Sequence, residues 1–280
     1  MFFKFQSAND LQTVADRRAQ LCIVGSLKKR FGPDLTVIGE EDEEDLPELD
    51  QSFIEEGFDL EVLDQCHVKF PESLTSLREK DIVVWVDPLD GTSEFTQGLL
   101  DHVTVLIGIA VGGRATAGVI HQPFYGYNDK SVDPNRWGRT IWAINGLGAF
   151  GFLPKLPPKS ERIITTTRSH SNKYIISTID AMNPDKVLRV GGAGHKVILL
   201  MEGKAHAYVF ASKGCKKWDT CAPEAVLSTL GGTLTDLHGN RLQYTCNVEK
   251  PNNRGVLATA PTVDHQWYVD RIPENVKSSF

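Results

Sequence analysis

The segment IVVWV at residues 82–86 is an unbroken apolar run that ends abruptly in DPLDGT. Such a run belongs to an interior strand of a sheet, because both of its faces must be covered by other parts of the chain. Pro88 cannot donate to the hydrogen-bond ladder, so the strand is expected to end there. The pattern therefore places Asp87 at the exposed end of an interior strand and Asp90 in the turn that Gly91 completes.

The rest of the chain reads as strands first and as alternating strands and helices later. Strands are predicted at 35–39, 82–86, 103–111, 114–123 and 140–152, and then in the segments IITTT, VLRVGG, AHAYVFAS, GGTLTDL and GVLATA. Helices are predicted at 10–31, near 171–182, near 194–202, from about 219, and near 263–277. A proline-rich segment, 153–161, separates two predicted halves, 1–153 and 154–280. This alternation favours an α/β layered arrangement.

The composition limits the partners of the chain. The formal net charge of −6 over 280 residues argues against a general nucleic-acid or anionic-membrane binder, since those surfaces need a basic footprint. Five cysteines without a CxxC pair suggest neither a disulfide framework nor a zinc site. No segment is apolar enough for a signal peptide or a membrane span. We therefore expect a cytoplasmic protein with free thiols.

The turn after the apolar run has the chemistry of a cation site. It can aim the carboxylates of Asp87 and Asp90 and the carbonyl oxygen of Leu89 at one point, and hard oxygen ligands suit Mg²⁺ or Mn²⁺. Thr92 is predicted to cap the next helix, whose first N–H groups would then face a phosphate. The alternative is a simple turn, because Asp, Pro and Gly are favoured in turns for local reasons.

Two more acidic residues occupy comparable positions. Glu40 directly follows the strand LTVIG, and Asp219 lies at a polar junction between a strand and a helix in GCKKWDTCAPE. Each one alone reads as a surface or capping residue. Together with Asp87 and Asp90 they would supply the four acidic groups of a site in which several metal ions assist phosphoryl transfer.

Three segments carry a family resemblance. The pair Glu40–Glu41 after a strand, WVDPLDGTSEF (85–95) and WDTCAPE (218–224) closely resemble the signatures of the inositol monophosphatase superfamily, the lithium-sensitive, magnesium-dependent phosphomonoesterases. Within it, ERIITTTRSHSNK, LRVGGAGHK and HAYVFASKGCKKWDTCAPE resemble the branch that acts on nucleoside bisphosphates. The resemblance implies a layered αβαβα sandwich of the sugar-phosphatase type. It also implies hydrolysis of the 3′-phosphate of adenosine 3′,5′-bisphosphate, and of its sulfated relative, with two or three Mg²⁺ or Mn²⁺ ions and inhibition by Li⁺.

The resemblance also assigns roles to individual residues. The implied metal ligands are Glu40, Asp87, the Leu89 carbonyl, Asp90 and Asp219. Asp16 matches the acid that activates water and Thr92 its hydroxyl partner. The implied nucleotide contacts in the second half are Thr167, His170, Gly192 and Lys196. From the residues alone, Asp16 reads as an exposed helical acid, His170 as an isolated histidine, and the glycine-rich turn before Lys196 as a tight connection.

The resemblance is incomplete at the start of the chain. Members of the family normally carry one or two further helices before the segment that matches DLQTVAD, and only MFFKFQSAN precedes it here. We therefore expect exposed apolar surface and a less firmly held Asp16. The competing hypotheses are an inositol polyphosphate 1-phosphatase, an inactive nucleotide or metal binder, and a structural scaffold.

Overall fold

The computed structural model describes residues 4–7, 10–12, 14–41, 51–58, 60–169 and 171–280. The strands in these ranges are β1 Lys4–Ser7, β2 Asp10–Gln12, β3 Thr36–Gly39, β4 Ile82–Asp90, β5 Thr104–Val111, β6 Arg114–Gln122, β7 Arg139–Ile144, β8 Gly148–Phe150, β9 Ile163–Thr167, β10 Lys186–Val190, β11 Ala207–Phe210, β12 Thr233–Thr235 and β13 Val256–Thr259. The helices are α1 Val14–Phe31, α2 Glu72–Thr75, α3 Thr92–Thr96, α4 Lys173–Met182, α5 Ala193–Met201, α6 Trp218–Thr229, α7 His265–Asp270 and α8 Glu274–Lys277.

Two large sheets organise these elements. The first has the order β3-β4-β5-β6-β7-β8 and is antiparallel except for the parallel pair β3 and β4. The second has the order β10-β9-β11-β13-β12, with β10, β9 and β11 parallel and the last two pairings antiparallel. A small ribbon of β1 and β2 precedes helix α1.

The helices form three layers around the two sheets. Helix α1 packs on β3 and β4, whereas α5 and α6 contact each other and strands of both sheets. Helices α4 and α7 pack on the second sheet, at β11 and β13. The order helix, sheet, helix, sheet, helix confirms the α/β layered fold that the sequence predicts. No helix in the described part of the chain has the length and apolarity to cross a membrane.

This layering explains the unbroken apolar run in β4. Val84 and Val86 are buried in a small cluster with residues of α1, whereas Trp85 is fully buried in the main core on the other face. Alternating side chains of a strand point to opposite faces of the sheet, so a strand covered on both sides must be apolar at every position. The run therefore marks the strand that lies between α1 and the central helices.

Three predicted elements differ from the observed ones. The helix expected at 10–31 begins at Val14, because Asp10–Gln12 pairs with β1 instead. The strand expected at 140–152 is a hairpin, β7 and β8, which turns at Gly146 with φ +91°. The helix expected near 263–277 is two short helices, because Pro273 lacks the N–H that would continue the first.

The two sheets are drawn from separate parts of the sequence, and the proline-rich segment lies between them. The first sheet spans 36–150 and the second spans 163–259. One hydrophobic core nevertheless contains residues of both, including Trp85 and Leu257. We therefore keep the halves 1–153 and 154–280 as a proposal about organisation.

Helix α6 approaches the first sheet closely over two paired glycines. Gly108 and Gly118 are opposite each other in β5 and β6. A Cβ on Gly108 would lie 2.6 Å from the backbone nitrogen of Ala222, and one on Gly118 would lie 2.6 Å from its carbonyl oxygen. Both distances are too short for real atoms. The pair therefore sets how near α6, which carries Asp219, can come to the sheet that carries Asp87 and Asp90.

We expect Gly118→Ala to destabilise the fold by about 1–3 kcal/mol, because the new methyl group collides with helix backbone that cannot rotate away. The measurement is the midpoint of thermal unfolding, with Arg114→Ala at the exposed start of the same strand as the control. An unchanged midpoint for Gly118→Ala would show that the helix does not need this close approach.

Candidate active site

Strand β4 ends differently from the expectation. Its pairing with β5 continues past Pro88 to Asp90, with a bulge between Asp87 and Asp90 that accommodates the proline. Asp87 is only 1% exposed, so its expected position at an exposed strand end is wrong. Its Oδ1 accepts a hydrogen bond from the Leu89 N–H at 3.0 Å. The bulge thus turns both aspartates inward on a rigid strand.

Glu40 lies beside Asp87 because β3 and β4 are parallel neighbours. The Glu40 N–H donates to the Val86 carbonyl at 3.1 Å, which extends the pairing by one residue. Helix α1 fixes the same point, since the Gln20 side chain donates to the Glu41 carbonyl at 2.7 Å and accepts from the Glu41 N–H at 2.9 Å. The position of Glu40 is therefore tied to both the sheet and α1.

Asp219 reaches the same region from the second half. It lies in the first turn of α6, where its Oδ2 accepts from the Lys216 N–H at 2.6 Å. Burial raises the pKa of Asp87 well above its usual range, and the charges of Glu40, Asp90 and Asp219 raise it further. Burial likewise raises the pKa of Asp90 to about 6. The negative charges of the other three acidic residues therefore all act on the Asp87 carboxylate.

Asp90 connects the two halves directly. Its Oδ1 accepts from the Ala193 N–H at 2.7 Å and its Oδ2 from the Gly194 N–H at 2.8 Å. The Thr104 hydroxyl also donates to Oδ2, at 2.6 Å. These N–H groups are the first two of α5, so the start of this helix holds a carboxylate of the chain itself.

Asp16 and Thr92 form a contact across the sheet edge. The Thr92 hydroxyl lies 3.1 Å from Asp16 Oδ1 and 3.0 Å from the Leu89 carbonyl oxygen, and both atoms can accept its proton. Asp16 is 1% exposed, which excludes the interpretation as an exposed helical acid. Thr92 is also not the helix cap that was expected: Gly91 holds that position with φ +91°, and the hydroxyl makes these two contacts instead.

A cavity of about 190 Å³ opens next to these residues. Three of the residues expected to bind nucleotide, Thr167, Gly192 and Lys196, line it together with Asp90, Thr92 and Asp219. His170, the fourth, lies outside the described residues.

Lys196 supplies positive charge to this cavity from a buried position. It is 4% exposed, and its Nζ donates to the Gly192 carbonyl at 2.6 Å and lies 5.2 Å from the centre of the Tyr208 ring. Burial lowers the pKa of Lys196, whereas the charges of Asp90 and Glu94 raise it. The ammonium group is therefore held close to the glycine-rich turn.

Sequence reasoning missed three residues that line the same cavity: Glu94, Tyr208 and Cys215. Glu94 follows the metal-site motif and reads as an ordinary helical acid, although it is only 3% exposed. Tyr208 and Cys215 read as core residues.

The predicted ligands are all oxygen donors, the type that a hard divalent cation prefers. In the ranges that the structure describes, however, no three His, Cys, Asp or Glu side chains form a group that could hold a metal ion. Asp90 and Asp219 instead point at backbone N–H groups. Asp87 and Asp90 are nevertheless buried, and the negative charges of Glu40, Asp90 and Asp219 act on Asp87, a repulsion that a bound cation would relieve. Glu40, Asp87, the Leu89 carbonyl, Asp90 and Asp219 remain the predicted ligands.

Known sequences are similar to this chain along almost its whole length. Residues 4–277 match the model of the inositol monophosphatase family. The rat 3′(2′),5′-bisphosphate nucleotidase 1 is 57% identical over 277 residues, which cover 98% of this chain and 86% of the rat protein. The human protein of the same name is 57% identical, covering 97% of this chain and 85% of its own length. The Dictyostelium discoideum protein of that name is 40% identical, covering 95% and 86%.

Solved structures show the same fold at lower identity. The suppressor protein suhB of Bartonella henselae has a TM-score of 0.68 at 19% identity and covers 98% of this chain and 88% of its own. An IMPase of Thermotoga maritima has a TM-score of 0.67 at 20% identity and covers 100% and 90%. An IMPase/NADP phosphatase solved with Mg²⁺ and phosphate has a TM-score of 0.66 at 18% identity and covers 98% and 87%.

The raised pKa values give a stability prediction. An acid with a raised pKa in the folded protein contributes stability below its unfolded pKa of about 4, and this contribution is lost as pH rises through the folded pKa. For Asp90, whose pKa is raised to about 6, this contribution is lost as the pH rises to about 6. We therefore expect the metal-free protein to lose stability between about pH 4 and pH 6 as its buried carboxylates ionise, and Mg²⁺ to restore it at pH 7.5.

The variant that tests this is Asp87→Asn, which keeps the Oδ1 acceptor. We expect it to raise the metal-free unfolding midpoint at pH 7.5 by about 2–6 °C and to remove the shift caused by Mg²⁺. Asp180→Asn, at an exposed position on α4, is the control and should behave as the wild type. An undiminished Mg²⁺ shift in Asp87→Asn would contradict the assignment of Asp87 as a ligand.

Proposed function

This chain belongs to the inositol monophosphatase family, and we propose that it hydrolyses the 3′-phosphate of adenosine 3′,5′-bisphosphate to give AMP and phosphate. The proposal includes the sulfated relative, 3′-phosphoadenylyl sulfate, as a second substrate. It also includes dependence on two or three Mg²⁺ ions, which Mn²⁺ can replace, and inhibition by Li⁺. The observation that carries the proposal is that the charges of Glu40, Asp90 and Asp219, from distant segments, all act on the buried Asp87, and that Asp90 and Asp219 line a cavity together with the buried Lys196.

The relatives support the choice of substrate. The rat and human proteins, each 57% identical over almost the whole chain, are named for a 3′(2′),5′-bisphosphate substrate. The IMPase/NADP phosphatase solved with Mg²⁺ and phosphate supports the choice of metal. The five free cysteines support a reducing compartment, in keeping with a cytoplasmic protein.

The residues divide the chemistry between them. When bound, a divalent cation supplies the positive charge that acidifies water and neutralises the phosphate ester. Asp16 accepts the proton of the attacking water, and the Thr92 hydroxyl holds the Asp16 carboxylate in place at 3.1 Å. Water attacks phosphorus directly, so no covalent phosphoenzyme forms.

The part of the cavity lined by the second half of the chain is suited to hold the nucleotide. Gly192 has φ +68°, a conformation that favours glycine and lets a ligand approach the backbone. The buried ammonium of Lys196 offers a charge to a phosphate, and Thr167 offers a hydroxyl from the end of β9. His170 is proposed as a further contact from the resemblance.

The deciding experiment measures phosphate release from adenosine 3′,5′-bisphosphate over a titration of Mg²⁺ and of Li⁺. We expect release that requires Mg²⁺ and falls with Li⁺. Inositol 1,4-bisphosphate at the same metal concentration tests the competing hypothesis of an inositol polyphosphate 1-phosphatase, and a preference for it would overturn the proposed substrate. No release from either compound would favour the inactive binder, and Asp90→Ala must abolish any release that is observed.

Asp16→Asn is the sharper test of the mechanism. Asn keeps the shape and an acceptor for Thr92 but cannot take a proton, so kcat should fall about 100- to 10,000-fold while KM changes little. Thr92→Val should give a smaller loss in kcat. Asp180→Asn is again the matched control. An Asp16→Asn enzyme with wild-type kcat would exclude Asp16 as the base.

A further inference from the structure

We propose that Glu94 is a specificity-determining residue whose carboxylate accepts a hydrogen bond from the ribose hydroxyl next to the scissile phosphate. This inference rests on the proposed function and names the contact that selects a ribonucleotide. The observations that carry it are the burial of Glu94, its place between the metal-site turn and the glycine-rich turn, and a carboxylate oxygen that has no hydrogen-bond donor in the described part of the chain.

The carboxylate lies between the two turns that form the site. A Cβ on Gly91, directly after Asp90, would lie 3.8 Å from Glu94 Oε2. On the other side, a side chain on Gly191 would collide with the Glu94 carboxylate itself. Glu94 therefore occupies the junction between the groups that surround the scissile phosphate and the turn that faces the nucleoside.

The Glu94 carboxylate is incompletely satisfied by the protein. The residue is 3% exposed, and its Oε1 is buried without a hydrogen-bond donor among the described residues. The Arg168 Nε is 3.6 Å away, which is an ion pair but too long for a hydrogen bond, and the Arg168 Nη2 donates instead to Gln97 Oε1 at 2.5 Å. A buried carboxylate oxygen without a hydrogen-bond donor costs free energy. A ligand that donates a hydrogen bond to this oxygen therefore gains binding free energy.

The charge of the substrate decides which of its groups can do so. Both phosphates of a nucleoside bisphosphate are anionic, and a carboxylate facing either one would repel it. The neutral donors are the free ribose hydroxyl and, in adenosine, the amino group of the base. The hydroxyl is on the carbon next to the one that bears the scissile phosphate. Glu94, two residues after Thr92, lies at that end of the cavity, which favours the hydroxyl over the more distant base.

The test compares two substrates that differ only in this hydroxyl, adenosine 3′,5′-bisphosphate and its 2′-deoxy analogue. For the wild type we expect kcat/KM to be about 10- to 100-fold higher for the ribose compound, the range for a hydrogen bond to a charged group. Glu94→Ala should reduce this ratio to about 1, mainly by loss on the ribose compound. Glu94→Gln, which keeps a neutral acceptor of the same shape, should give an intermediate ratio.

Arg168→Ala separates this role from a structural one. If Glu94 acted only by pairing with Arg168, both alanine variants would slow the two substrates equally and the ratio would stay at the wild-type value. We expect Arg168→Ala to keep the wild-type ratio and Glu94→Ala to lose it. Thermal unfolding of each variant checks that the comparison is made on folded protein.

Two results would overturn the assignment: a wild-type ratio near 1, or equal losses on both substrates in Glu94→Ala. Inosine 3′,5′-bisphosphate, which lacks the amino group of the base, provides a third. If Glu94→Ala lost the preference for the adenosine over the inosine compound but kept the wild-type ratio of ribose to deoxy compound, the contact would be with the base. If the wild type releases no phosphate, the proposed function fails. The ratio of calorimetric Kd values for the ribose and deoxy compounds then decides the Glu94 contact by the same criteria.

Discussion

The contact between the Asp90 carboxylate and the first N–H groups of α5 holds the candidate site together. Asp90 belongs to the first sheet, and the groups that donate to it, Ala193 and Gly194, belong to the second half of the chain. The start of a helix carries unsatisfied N–H groups and a partial positive charge, so a carboxylate is a favourable partner there. One residue thus fixes a predicted metal ligand and the glycine-rich turn relative to each other.

Close packing around this contact also explains the glycines near it. Gly192 adopts φ +68°, and a Cβ there would lie 2.4 Å from the His102 carbonyl oxygen and 3.1 Å from Asp90 Oδ2. A Cβ on Gly194 would lie 2.5 Å from the Thr104 hydroxyl oxygen and 3.2 Å from Asp90 Oδ2. The glycine-rich turn is therefore required by the approach of other parts of the chain, in addition to any approach by substrate. The sequence pattern alone could not distinguish these two reasons, because the contacting residues are about a hundred residues away along the chain.

The sequence predicts those features of the fold that depend on the alternation of apolar and polar residues within one segment. The apolar run of β4, the paired strands that follow and the layered fold depend on which faces are covered, and alternation in the sequence records this directly. The hydrogen bond of Asp16 joins it instead to Thr92, 76 residues away, and no sequence pattern near Asp16 indicates it. The same holds for Thr92. Its hydroxyl does not cap the helix, because the fold places two acceptors, Asp16 Oδ1 and the Leu89 carbonyl oxygen, next to it.

The precision of the acidic cluster derives from packing far from it. Asp219 is placed by α6, and α6 is placed by the close approach over Gly108 and Gly118, where helix and sheet backbones nearly touch. Asp87 is buried among the negative charges of Glu40, Asp90 and Asp219, which costs stability, and these carboxylates would move apart if the surrounding structure allowed it. Because α6 and the first sheet are in contact through backbone atoms, α6 cannot shift as easily as a flexible side chain would. The fold therefore keeps like charges close together, and a bound cation or protonation of the buried carboxylates would relieve their repulsion.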